Sequence, residues 1–352
     1  MLLLLAATDT AAVPGISAAG ATPASRRATA AADAELLLAG PGATRPHALP
    51  PLPAGVSPAL ISHVALQQLG LLERLLIVDL GCAVAPAVPH LRLPRLEAAG
   101  PARCVSTGQA LPPERVEALL HRGRRWGMTL PLDAPLVLAE CVPGGTTTAL
   151  GVLRGLGLAA DGLVSGSLRQ SAHPLKRALV DRGLAVAGLA SGAGSALAVA
   201  SAVGDPMQPL AAGLLLAASR RGVPVLLAGG SQMAAVLALA LALAPAAERP
   251  QLAAATWLAT TAWVAEEADS DLAQLVDLMA ERWQVSLRLE VAGLRFHDCR
   301  STALRDYERG YVKEGVGAGG LAWLWQTLGG SPAALALACD RACERLLAEP
   351  GS

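Results

Sequence analysis

Two carboxylates stand beside glycine-rich turns in this sequence. Glu140 opens the segment Glu140-Cys-Val-Pro-Gly-Gly-Thr-Thr-Thr-Ala149. Gly144 and Gly145 let a backbone approach a ligand closely, while Thr146, Thr147 and Thr148 offer hydroxyls and an N-cap. Free N–H groups at a helix start favour an anion, phosphate above all. An ordinary capped turn explains Gly-Gly-Thr alone, but not three consecutive threonines after a carboxylate. The second carboxylate, Glu314, lies in Tyr311-Val-Lys-Glu-Gly-Val-Gly-Ala-Gly-Gly320, a flexible stretch ahead of a helix from Leu321. A partly desolvated carboxylate there has a raised pKa and suits general-base work. The alternative is a solvated glutamate at a helix start, stabilised by the dipole.

Two more turns enter helices: Gly204-Asp-Pro-Met-Gln-Pro209, and Gly229-Gly-Ser-Gln-Met233. Each is weak alone. Together they extend the candidate phosphate and ribose contacts to Gly204, Asp205, Gly229, Gly230 and Ser231. Rare residues point the same way. Of 28 basic residues only Lys176 and Lys313 are lysine, and Asn is absent. The only Phe, both Tyr and one Lys fall at 296, 307, 311 and 313, which suggests that specific side chains are needed there. Lysine is a compact point charge suited to phosphate. The alternative for each lysine is a surface charge.

These groups must be positioned by regular elements. Short apolar runs at 2–6, 75–80, 136–138, 184–189 and 223–227 read as strands, and Ala/Leu-rich helical patterns alternate with them. That alternation predicts an α/β fold: a mainly parallel sheet with helices on both faces, Rossmann-like and three-layered. Ligands then bind at the carboxyl ends of the strands. The expected organisation is one catalytic unit over 1–352. Its α/β core covers roughly 65–300, with 1–64 and 301–352 completing the sheet edge and a smaller helical lobe. The Pro-rich segments 41–58 and 86–94 read as loops. Residues 265–285, with Glu266, Glu267, Asp269, Asp271 and Glu281, read as a solvated helical surface.

Composition narrows the function classes. Net charge is zero, with 28 basic and 28 acidic residues, which argues against nucleic acid held on a broad basic face. Charged residues make up 16% and hydrophobic ones 53%, so disorder is not expected. The longest strongly apolar stretch, 233–247, is shorter than a bilayer span of roughly 20 residues. Buried helices account for it better than a membrane component does. Six cysteines lack CxxC spacing and the six histidines lack metal-binding spacing, so a reducing cytoplasm and no metal are expected. Gly192-Ala-Gly194 resembles a dinucleotide fingerprint only loosely, because Asp205 follows too soon for the ribose acid.

Taken together, these motifs resemble the nicotinate-nucleotide–dimethylbenzimidazole phosphoribosyltransferase family, and more closely its divergent cyanobacterial and archaeal branch. Pro14-Gly-Ile-Ser-Ala-Ala-Gly-Ala-Thr-Pro23 and Leu52-Pro-Ala-Gly-Val-Ser-Pro-Ala-Leu-Ile-Ser62 extend the likeness over nearly the whole chain. The resemblance implies transfer of the ribose 5-phosphate of nicotinate mononucleotide onto an aromatic base, dimethylbenzimidazole or adenine-like. That step builds the lower-ligand nucleotide of cobalamin-type cofactors. Nicotinate leaves as a neutral ring, which needs neither an acid nor a metal, and no cofactor is implied. Glu314 matches the family's catalytic glutamate in its Glu-Gly-x-Gly-Ala motif, and Glu140 a second acidic position. Lys313, Gly315 and Gly317 flank the first, and Lys176 falls roughly where the family has a phosphate-facing lysine. The better-studied branch has Gly-Asn-Thr-Thr where this chain has Gly144-Gly-Thr-Thr147, and an acidic residue in the turn that is here Gly229-Gly-Ser-Gln. The family also implies a homodimer with small-molecule partners, and no membrane or nucleic-acid partner is expected. A second class remains open: a homologue that binds nucleotide without catalysis, as a regulatory or assembly subunit.

Overall fold

The computed structural model describes residues 1–189 and 194–348. Its strands are β1 (Leu2–Leu5), β2 (Leu76–Asp79), β3 (Leu91–Arg92), β4 (Leu136–Cys141), β5 (Val225–Ala228), β6 (Thr256–Thr261) and β7 (Leu289–Ala292). They form one sheet in the order β3-β2-β1-β4-β5-β6-β7, parallel throughout. The helices of the first half are α1 (Pro23–Ala39), α2 (Ala59–Gln68), α3 (Pro113–Gly127), α4 (Gly145–Gly155) and α5 (His173–Val186). There follow α6 (Ala196–Val203), α7 (Met207–Arg220), α8 (Ser231–Leu243), α9 (Arg249–Ala254), α10 (Ala262–Ala265) and α11 (Leu272–Trp283). The last are α12 (Thr302–Glu308), α13 (Ala318–Thr327) and α14 (Pro332–Leu347).

Successive strand side chains point to opposite faces. Leu3, Leu5, Ile77, Val137 and Leu226 therefore meet α1, α2, α13 and α14 on one side. Leu4, Val78, Leu136, Leu138 and Leu227 meet α3 to α9 and α11 on the other. Burial on both faces is why the strands read as unbroken apolar runs. The helix α8 is apolar almost all round and is enclosed by the second layer, which accounts for the stretch from Met233. Among the described residues, no helix is long and apolar enough to cross a membrane.

Three expectations are corrected, and one strand is added. The run 184–189 is not a strand but the last turn of α5 and its exit, where Leu184 fills the core and Gly188 turns with φ 67°. The N-terminal segment does not complete a sheet edge. Strand β1 lies between β2 and β4, and the edges are β3 and β7. The chain ends contribute the smaller helical layer instead. Residues 265–285 are not wholly solvated, because Leu272, Leu275, Val276, Met279 and Trp283 of α11 are buried. Strand β6, Thr-Trp-Leu-Ala-Thr-Thr, escapes sequence reading because its threonines break the apolar run, yet it is buried between β5 and β7. The dinucleotide-like Gly192 lies outside the described residues.

The crossover from β1 to β2 uses the first helical layer and that from β3 to β4 uses the second. The sheet's topological switch therefore lies between β1 and β4. A crevice opens outside the carboxyl ends of strands at such a point.

Candidate active site

A cavity of about 580 Å³ opens at that crevice. Its floor is the turn after β4, from Glu140 to Thr146, and the turn after β5, Gly230 to Gln232. Glu314 to Val316 close one side, Ser165 to Ser167 another, and the Pro-rich loop 48–58 forms an apolar roof. The helices α4 and α8 begin at this cavity, so the positive ends of two helix dipoles lie against it.

The β4 turn is built around two glycines. Gly144, with φ 80°, is the N-cap of α4, and a side chain there would crowd Ala11 and Thr8. The helix begins at Gly145, so the three threonines fall in its first turn. Thr146 faces the cavity, Thr147 is fully buried, and Thr148 donates from Oγ1 to Asp205 Oδ2 at 2.6 Å. A Cβ at 145, where the better-studied branch carries Asn, would overlap the Gln232 side-chain oxygen. Gln232 thus occupies that space, and its Nε2 donates to Glu140 Oε1 at 2.9 Å. The other Glu140 oxygen accepts from Val142 N at 2.9 Å. Burial pushes the Glu140 carboxyl up to about 8. The Val142 N–H opposes this, and the nearby carboxylates of Asp205, Glu314 and Asp33 add to it.

Glu314 is held differently. Its Oε1 accepts from Gly315 N at 3.1 Å and Gly319 N at 3.0 Å. Its Oε2 accepts from Thr261 N at 2.9 Å and Thr260 Oγ1 at 3.0 Å. Four donors match the roughly four lone-pair sites of a carboxylate and favour its anion. Burial nevertheless raises its pKa, against those four hydrogen bonds. The loop carrying it is strained: Val312, Lys313 and Val316 have φ of 64°, 68° and 54°. Left-handed backbone is unfavourable for residues other than glycine, most of all β-branched ones, and persists only where the surroundings enforce it. Here Val316 N donates to Glu140 O at 3.1 Å, and Ser62 Oγ donates to Val316 O at 2.9 Å. The glycines that follow are not a flexible stretch. The helix α13 starts at Ala318, and side chains at Gly319 and Gly320 would run into the backbone of β6 and into Ala228. Only glycine lets α13 press on the strand ends and aim its N–H groups at Glu314.

The other expected residues divide into two groups. Gly230, Ser231 and Gly315 line the cavity. Gly229 ends β5 with φ 150°, and Gly317 caps α13 with φ 82°; neither lines the cavity. Gly204 and Asp205 do not line the cavity: they join α6 to α7 and are buried. Asp205 instead fixes Thr148 and accepts from Met207 N at 3.0 Å, and burial raises its pKa to about 6. Lys176 and Lys313 are both buried and donate to loop carbonyls, so neither ammonium lines the cavity.

Sequence reading missed two contributors. Asp33, in an Ala-rich stretch of α1, sits on the cavity wall. Its carboxyl accepts from Ser57 Oγ at 2.6 Å and faces the Cys141 thiol at 3.4 Å, and burial raises it to about 6. Glu267 is not on a solvated surface but pairs with Lys313 Nζ at 2.7 Å. Of the rare aromatics, Phe296 and Tyr307 are core and pack with Trp263 within 5.6 Å, while Tyr311 is half-buried and lines the cavity. Tyr307 OH also donates to Val56 O at 2.7 Å, which anchors the roof loop. Cys339 and Cys343 are buried and free, as expected of core thiols.

The arrangement suits displacement at a sugar carbon. One carboxylate is fixed by four donors, a second is held protonated near neutral pH, helix N-termini face the same space, and an apolar roof covers it. A family model described as phosphoribosyltransferase matches residues 67–267. The chain is 56% identical to the UPF0284 protein SYNW1869 of Parasynechococcus marenigrum, over 99% of this chain and 87% of that one. It is 50% identical to the UPF0284 protein glr4139 of Gloeobacter violaceus, over 91% and 81%. Among solved structures it superposes on CobT from Thermus thermophilus with a TM-score of 0.59 at 19% identity, covering 97% of this chain and 82% of that one. The nicotinate-nucleotide–dimethylbenzimidazole phosphoribosyltransferase of the same organism gives 0.58 at 18%, over 99% and 85%. At that identity the structures speak to the fold, while the family model and the cyanobacterial relatives speak to descent. The chain belongs to the nicotinate-nucleotide–dimethylbenzimidazole phosphoribosyltransferase family, within its divergent branch of cyanobacterial UPF0284 proteins.

Proposed function

We propose that this phosphoribosyltransferase moves the ribose 5-phosphate of nicotinate mononucleotide onto an aromatic base and releases nicotinate, in assembly of a cobalamin-type lower-ligand nucleotide. The observation that carries this reading is the pair of carboxylates on one cavity wall in different environments, Glu314 with four donors and Glu140 with two. Paired carboxylates held in different environments are the usual basis of acid–base assignment. In this scheme the incoming ring nitrogen attacks the anomeric carbon as its bond to the nicotinate nitrogen breaks. The bonding electrons return to the departing ring, which leaves neutral. The base's ring N–H proton passes to Glu314 as the lone-pair nitrogen forms the new bond, and the Thr260 hydroxyl is the donor free to turn away. Glu140, protonated near neutral pH, donates a hydrogen bond within the cavity. The N-termini of α4 and α8, with Gly144, Gly145, Thr146, Gly230 and Ser231, receive the phosphate and ribose. The apolar roof from Leu49 to Val56 covers the acceptor.

The test is an acceptor screen. Purified protein is mixed with nicotinate mononucleotide and a panel of bases, including dimethylbenzimidazole and adenine, and products are separated by chromatography. Base-dependent nicotinate release with a matching amount of new nucleotide is expected. Tight binding of the nucleotide with no release for any base would overturn the reading in favour of a binding subunit.

A further inference from the structure

The chain's only two lysines, each 1% exposed, converge on one short loop. Lys176 Nζ donates to Ser165 O at 2.7 Å, and Lys313 Nζ donates to Leu168 O at 2.8 Å. A single carboxylate ties this cluster together. Glu267 Oε1 accepts from Lys313 Nζ at 2.7 Å and from Ser171 Oγ at 3.2 Å. Its Oε2 accepts from Ser165 Oγ and, at 2.9 Å, from Ser270 Oγ. Asp269 extends the latch: Ser171 N donates to its Oδ2 at 3.2 Å, and the His173 ring meets its carbonyl at 2.5 Å. Three chain segments are thereby fastened at one point: the loop before α5, the connection before α11, and the loop before α13.

Both fastened loops reach the cavity. Ser165, Gly166 and Ser167 wall it, and Lys313 immediately precedes Glu314 in the left-handed segment. Gly166 is the thin place in the wall, since a Cβ there would stand 2.9 Å from Lys176 Nζ. Lys313 pairs directly with Glu267, and Lys176 feels the same carboxylate, so two buried ammoniums stand directly behind the wall. Such charges are costly to bury unless an anion approaches them.

We propose that Glu267 is a positioning residue for the transfer. Through Lys313 it fixes the strained backbone that presents Glu314. Through Ser165 and Ser171 it sets the thin wall that separates the Lys176 ammonium from the cavity. The proposal rests on the transferase reading above. It separates two effects: loss of Glu267 misplaces the general base, while the ammonium behind Gly166 remains to attract phosphate. A misplacement of about 1 Å at reacting groups costs on the order of 100-fold in rate. Glu267→Gln is therefore expected to lower kcat about 100-fold, with far less change in KM for nicotinate mononucleotide. Glu267→Asp, which keeps the charge, is expected to recover part of the loss.

Two lysines make a readout independent of activity. Protein grown with ¹⁵N-labelled lysine has two side-chain nitrogen signals, assigned with Lys176→Met and Lys313→Met. Glu267→Gln is expected to shift the Lys313 signal strongly and the Lys176 signal measurably, and to speed amide exchange in 165–171. The charge-balanced pair Glu267→Gln with Lys313→Met keeps the test valid should the single variant fold poorly; it is expected to fold and still turn over slowly. Unmoved lysine signals, or wild-type kcat in folded Glu267→Gln, would overturn the proposal. If the wild-type protein itself released no nicotinate, the transferase reading would fail. The lysine signals and exchange rates would still decide whether Glu267 clamps the two loops.

Discussion

Glu140 makes the account quantitative. Its carboxyl titrates near 4.5 in an open chain and near 8 in the fold, where burial, opposed by Val142 N–H, is reinforced by Asp205, Glu314 and Asp33. The folded state thus binds this proton more tightly than the unfolded one. Between those two values unfolding releases a proton, and stability falls as pH rises. The interval spans about 3.5 pH units at about 1.36 kcal/mol each, or about 5 kcal/mol in all. Below pH 4.5 the group is protonated in both states and its stabilisation is fully present; above about 8 the loss is complete. Glu140→Gln is the matching perturbation, because an amide accepts from Val142 N and pairs with a turned Gln232 amide without titrating. Asp33 and Asp205, also raised, are retained in both proteins, so the difference between the two isolates Glu140. Thermal unfolding from pH 4 to 9 is the assay. With an unfolding entropy of about 2.1 cal/mol/K per residue, the variant's advantage in Tm should grow by about 7 °C across the window. A constant difference, or one that grows in favour of the wild type as pH rises, would refute the assignment of Glu140 as a proton-holding group.

Other outcomes follow from the same geometry. Gly319→Ala places a methyl group against the β6 backbone and Glu314. It should cost about 1–3 kcal/mol by denaturant unfolding and depress turnover further than Gly330→Ala, which crowds the Trp325 ring away from the cavity. Tyr307→Phe removes the hydroxyl that holds Val56 O, leaving a buried carbonyl unpaired. About 1–3 kcal/mol of stability should be lost, and amide exchange should quicken in the 48–58 roof. Gly145→Asn restores the residue of the better-studied branch but collides with Gln232. It should be poorly tolerated alone and improved by Gln232→Ala in a double-mutant cycle.

Legibility from sequence followed burial and spacing. Leu-rich β1 and β2 and the glycine turn after β4 were readable because apolar runs and turn residues are local signals. The edge strand β3 and the Thr-rich β6 were not, since tertiary pairing rather than pattern makes them strands. Of the candidate site, Glu140, Glu314 and the Gly144–Thr146 turn lie on one cavity. Asp33 and Glu267 were invisible for opposite reasons. Asp33 hides in an alanine helix with no flanking motif, and Glu267 sits among exposed acids that disguise its burial. The two lysines stand out by rarity, but rarity does not say which way an ammonium points. Here both point into loop carbonyls.

The central claim is that Glu314 takes the proton from the attacking base. It is tested most directly by Glu314→Gln, measured for binding of nicotinate mononucleotide and for nicotinate release with the best acceptor. The account predicts unchanged nucleotide binding, intact folding, and release slowed by a factor of about 100 to 10,000, the range of general acid–base catalysis. Wild-type release by a correctly folded Glu314→Gln protein would contradict it.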